Sequence, residues 1–86
     1  MTVTELKDTV KEMKSRDYKK RFVAEYWQLS IRYYKLRNLL VEYDAHKLKF
    51  KLNSPVRVLR KQLKAMGEYL YCLEVRAKAE DIDLEA

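Results

Sequence analysis

Glycine, proline, cysteine and histidine each occur once in this chain of 86 residues, as Gly67, Pro55, Cys72 and His46. Each scarcity closes a route. One glycine cannot build a phosphate-binding glycine-rich loop, and one histidine cannot build a histidine-based metal cluster. A single cysteine excludes an internal disulfide and a multi-cysteine zinc site, and points to a reducing cytoplasm. No metal and no cofactor is expected. As a nucleophile and base, Cys72 and His46 are a poorer account than a buried structural cysteine and a solvated loop histidine. Glu42 and Asp44 lie two apart on a helix and so do not face each other. No catalytic residue is expected, and the chain does not read as an enzyme.

Long uncharged runs are also missing, so no segment suits a membrane span, and the charges throughout MTVTELKDTVKEMK are unlike a signal peptide. The expectation is a soluble protein of the cytoplasm. What remains, 48% hydrophobic and 37% charged, is the composition of long helices. A chain this short buries only about 60–65% of the surface its unfolded form exposes, so oligomerisation is a natural remedy.

Apolar spacing predicts an all-α protein of a single helical domain, residues 1–86. A short N-terminal helix is expected over 3–15, where Val3, Leu6, Val10 and Met13 recur three and four apart and Thr2 with Glu5 forms a capping box. Asp17 caps the second, over 18–44, with Phe22, Tyr26, Leu29, Tyr33, Leu36, Leu40 and Tyr43 as its stripe. In the third, over 55–80, Leu59, Leu63, Met66, Leu70, Leu73 and Ala77 keep the same rhythm. Asn53 or Ser54 suits its cap, and Pro55 suits its first helical position. Two heptad stripes on a short connection make an antiparallel, coiled-coil-like hairpin.

Between them, Leu48, Phe50 and Leu52 alternate with Lys47, Lys49 and Lys51, a strand period. An extended loop laying three apolar side chains over the hairpin end accounts for it more simply than a lone strand. The acidic tail, 81–86, is expected to fray, with Ile82 and Leu84 docking on a neighbour as the sharper alternative.

Charge is distributed unevenly. Residues 18–64 hold thirteen basic and three acidic side chains, net +10, whereas 65–86 hold two and six, net −4. The basic middle would attract phosphates or acidic protein surfaces. Arg57, Arg60, Lys61 and Lys64 occupy a narrow face where the third helix begins, an end whose dipole already favours anions. These four, with Lys19, Lys20 and Arg21 at the start of the second helix, are the candidate phosphate-binding residues. Most tyrosines, including Tyr26, Tyr33 and Tyr43, fall on the core stripe. Tyr18 and Tyr71 fall off it and are the candidates for base stacking. Against this stands the plainer reading of the basic face as solvated surface. A two-helix hairpin has more apolar surface than it can bury, so either the first helix folds over it or other subunits do, and a combination of the two is expected. Trp27, Ile31, Tyr34, Val41 and Tyr69 are the candidates for an interface between subunits of a homo-oligomer.

The strings DYKKRFVAEYWQLSIRYYKLRNLL (17–40) and SPVRVLRKQLKAMGEYLYCLEVRAKAEDIDL (54–84) resemble small helical-hairpin proteins of phages and prophages, grouped with proteins of crAss-like phages. The likeness rests on the aromatic-rich first arm, the cap-then-proline restart and the Gln-Leu-x-Ala-Met-x-x-Tyr-Leu run at 62–70. More distantly, the hairpin is similar to that of phage anti-CBASS and anti-Thoeris proteins. These sequester cyclic nucleotide signals in pockets between subunits; the likeness implies a type of mechanism and not a site, and none of their ligand-binding residues is carried over to this chain. The resemblance implies a phage anti-defence protein, in the cytoplasm of an infected bacterial host, that holds a cyclic nucleotide or another phosphate-bearing ligand without cleaving it. An inhibitor docked on a host defence protein, such as a CRISPR effector or nuclease, is the alternative, and a basic nucleic-acid binder is a third.

Overall fold

A computed structural model describes Leu6 and residues 17–85. Apart from Leu6, the helix expected over 3–15 lies outside the described residues. Two helices, α1 (Tyr18–Asp44) and α2 (Val56–Ala79), pack against each other as a hairpin, and no strand occurs among the described residues.

α1 starts where the Asp17 carboxylate accepts from the amides of Lys19 at 2.9 Å and Lys20 at 3.3 Å. Those amides would otherwise lack partners in the first turn. The helix ends in a Schellman arrangement. Lys47 N–H donates to Glu42 O at 2.9 Å and His46 N–H to Tyr43 O at 3.0 Å, with His46 at a left-handed φ of 60°. α2 ends in the same way. Ile82 N–H donates to Ala77 O at 2.8 Å, Asp81 N–H to Lys78 O at 3.4 Å, and Asp81 has φ 55°. Both stops use a side-chain-bearing residue where glycine is usual.

The second stop decides the fate of the acidic end. A Schellman turn brings the residue after the left-handed position back over the last helical turn, where an apolar pair often meets. Here that pair is Ile82 and Ala77, which join Phe22, Val23 and Leu73 in one buried cluster. The indole N–H of Trp27 donates to Leu84 O at 2.8 Å, holding the chain beyond. The tail thus docks on its own hairpin instead of fraying or reaching a neighbour, because burial of Ile82 outweighs the carboxylates beside it, which stay exposed.

The α2 start also differs in detail from expectation. Pro55 is the cap residue and not the first helical one, since its ψ of 137° is extended and no side chain caps the turn. Its carbonyl accepts from Val58 N at 3.0 Å and Leu59 N at 3.2 Å. The Lys47–Leu52 connection lays down Leu48 and Leu52, which are half-buried, while Phe50 remains 61% exposed.

Candidate functional site

The main buried cluster lies at the tail end of the hairpin and is closed by polar contacts. Tyr18 Oη donates to Glu80 Oε1 at 2.9 Å and accepts from Arg76 Nη2 at 2.9 Å, while the Arg76 guanidinium stands 5.0 Å over the Phe22 ring. Tyr18 thereby ties the helix–helix junction through its hydroxyl, while its side chain stays 46% exposed. Lys19, Lys20 and Arg21 are exposed at this same end, away from the other basic cluster.

Further along, the packing opens. α2 carries Gly67 where α1 carries Tyr33, and the ring comes so close that a Cβ on Gly67 would meet Tyr33 Cε1 at 3.2 Å. A glycine inside a helix costs about 1 kcal/mol relative to alanine, so its use here marks a close approach. Beside this contact lies an open groove of about 710 Å³, lined by Tyr33, Arg60, Leu63, Lys64, Gly67, Glu68, Tyr71 and Cys72.

This groove gathers three of the expected residues, Arg60, Lys64 and Tyr71, the last 69% exposed. Arg57 and Lys61, from the same stretch of helix, are exposed but outside the groove. Tyr33 and Gly67 were not legible as site residues: Tyr33 sits on the core stripe, and only the cost of a mid-helix glycine hinted at Gly67. Cys72 is exposed on the groove wall, not buried as expected.

Two parallel contacts tie Arg60 to Asp44 at the end of α1, one of them Nη1 to Oδ2 at 3.1 Å. The guanidinium hydrogen bond holds the Asp44 carboxyl below its ordinary range and Arg60 above its own. The fork of Arg60 is thus aligned on an oxyanion within its own chain, in the side-by-side geometry that also suits phosphate. Both partners are about half exposed, so another anion can displace Asp44 at little cost.

Of the residues expected between subunits, Tyr34 and Val41 are exposed, Trp27 and Ile31 half-buried, and Tyr69 donates its hydroxyl to Glu25 within the chain. Among the described residues there is no acidic, histidine or cysteine group able to hold a metal ion, and no helix long and apolar enough to cross a membrane.

No curated protein and no solved structure matches this chain in comparison. The model of the Sequestin family does match, over residues 16–79, a span that takes in Asp17, both helices and every residue of the groove. By that match over most of its length, the chain belongs to the Sequestin family.

Proposed function

We propose that this protein is a phage-encoded anti-defence protein that sequesters a cyclic nucleotide immune signal and does not cleave it. One observation carries the reading: a single groove sets the Tyr33 and Tyr71 rings beside the cations Arg60 and Lys64. A cyclic nucleotide offers the matching pair of chemistries, flat bases and phosphates in a compact ring. Tyrosine faces stack on bases of any identity, and a guanidinium with an ammonium neutralises phosphate. The family name, Sequestin, is that of a sequestering protein and supports a role in binding. In this reading Asp44 gives way to a ligand phosphate on the Arg60 fork, Lys64 supplies a second charge, and Tyr71 closes over the base.

The test is a thermal-shift panel of cyclic di- and trinucleotides, cyclic ADP-ribose isomers and a short DNA duplex. A ligand specific for the folded chain, at a hundred times its dissociation constant, adds about 2.7 kcal/mol of stability. A shift with one cyclic nucleotide, its intact recovery after heating, and loss of the shift in Arg60→Ala with Lys64→Ala are the expected results. No shift with any cyclic nucleotide, or recovery of a hydrolysed product, would refute the proposal. Binding of the duplex alone, falling steeply with salt, would identify a nucleic-acid binder instead.

A further inference from the structure

The groove carries its charges in a fixed order. Arg60, Lys64 and Glu68 all line it and follow one another at steps of four, so each lies about 6 Å further along one face of α2. Asp44 extends the row beyond Arg60, through its two contacts with the guanidinium. Two neighbouring cations are therefore bracketed by a carboxylate at either end, and the formal charges of the row cancel.

The position of Asp44 runs against its own helix. It is the last residue of α1, whose final turn holds no basic residue, and a carboxylate there faces the negative end of the helix dipole. Stapling the two helices is a poor account of it, since an ion pair this exposed adds little to stability. A charge that breaks a local preference without a matching gain in stability points to a site.

The basic middle of the chain draws in every nucleotide from a distance, and the exposed Arg57 and Lys61 add to that pull without entering the groove. That field by itself favours the nucleotides of highest charge. The row selects differently. Each phosphate of a cyclic nucleotide is bridged on both sides and carries a single negative charge, which Arg60 and Lys64 can match. A linear di- or triphosphate ends in a terminal phosphate of about −1.5 to −2 near neutral pH, beside others already charged. The surplus falls against Asp44 at one end of the seat or Glu68 at the other. We infer that Asp44 and Glu68 are specificity-determining residues that admit bridged phosphates to the groove and turn away linear nucleotide di- and triphosphates. The inference rests on the ligand reading given above and adds a selectivity to it. Once a ligand takes the Arg60 fork, Asp44 stays beside the bound phosphate, because it is fixed at the end of α1, and there it repels a terminal phosphate more than a bridged one.

Calorimetric titration of the full chain with ATP and with cyclic di-AMP, which share a base, tests the filter. Asp44→Asn and Glu68→Gln should each tighten ATP binding by about fivefold, the scale of one exposed charge contact, and the double variant should gain more. Cyclic di-AMP should gain less than ATP in every variant. Adding Arg60→Ala to Asp44→Asn should abolish the ATP gain, and higher salt should shrink it by screening. Glu42→Gln separates local order from bulk charge: Glu42 is exposed two residues before Asp44 and lies outside the groove, so its loss should leave ATP affinity where it was. Equal ATP affinities in the wild type and both single variants would overturn the inference. So would a gain for cyclic di-AMP as large as that for ATP, or a gain in Glu42→Gln matching that in Asp44→Asn. Failure of the underlying ligand reading looks different: no cyclic nucleotide shifts the wild type in the thermal panel, whatever ATP does, and the inference falls with it.

Discussion

The Tyr33 ring lies so close to Gly67 that a methyl group on the glycine would stand 3.2 Å from Cε1 and 3.6 Å from the hydroxyl oxygen. The sole glycine of the chain therefore lets an aromatic ring settle across the hairpin and form one side of the groove. Gly67→Ala sets two effects against each other. Helix propensity favours alanine by about 1 kcal/mol, while the ring must retreat by a few tenths of an ångström. Because Tyr33 borders open space, it can retreat. The expected outcome is a melting temperature equal to or above the wild type, together with weakened nucleotide binding. Calorimetry and titration check the two halves separately.

The Ile82 side chain, 8% exposed, shares its cluster with the fully buried Leu73. Ile82→Ala should cost about 2–4 kcal/mol, the usual range for emptying such a site. Trp27 donates its indole N–H to the same segment, so its fluorescence should shift to the red as the tail detaches. Chemical denaturation followed at Trp27 measures both.

His46 and Asp81 hold the left-handed positions at the two helix ends, and a side chain there costs about 1 kcal/mol or more relative to glycine. His46→Gly should raise stability by about that amount, since neither Schellman hydrogen bond uses the imidazole. Asp81→Gly should do so as well, and would also remove one carboxylate from the tail. Thermal melts of the two single variants and the pair should show nearly additive gains, as the sites lie at opposite ends of the hairpin.

Partial burial first, and then the Glu74 carboxylate that accepts its hydroxyl at 3.3 Å, push the Tyr26 phenol above its ordinary 10.0. Tyr69 is raised in the same direction, chiefly by its hydrogen bond to Glu25. A raised value means that the unfolded chain releases these protons first as pH rises. The stability they contribute is therefore complete below pH 10 and is lost as pH climbs from there through the folded-state values. Alkaline unfolding should begin in that window, and Tyr26→Phe should flatten its slope.

At the acidic end the sign reverses. Asp44 is held below its ordinary value by Arg60, so its contribution is present above the ordinary carboxylate range and is lost as pH falls through the lowered value. Arg60→Ala should return the Asp44 midpoint upward in a carboxyl NMR titration, with only a small change in melting temperature because the pair is exposed.

Much of the hairpin was legible in the residues themselves. Apolar steps of three and four along Phe22–Tyr43 and Leu59–Ala77 require two amphipathic helices, and Asp17 marks a helix start with a side chain that acts within three residues of itself. The site was legible only in part. Arg60, Lys64 and Tyr71 stood out by falling off the core stripe, but nothing local distinguishes them from Arg57 and Lys61 on neighbouring turns.

Periodicity, helix starts and charge distribution are short-range properties, and the sequence by itself determined them. What only the tertiary structure decided depends on residues far apart in the chain. Tyr33 enters the groove because Gly67 faces it, Arg60 is oriented because Asp44 ends the other helix beside it, and the Tyr18 hydroxyl meets Arg76 and Glu80 from the far helix. The tail, too, takes its place from Trp27 and the cluster around Phe22. In each case a side chain acquires its role from a partner brought close by packing, and the distance between two helices is written in no single stretch of either one.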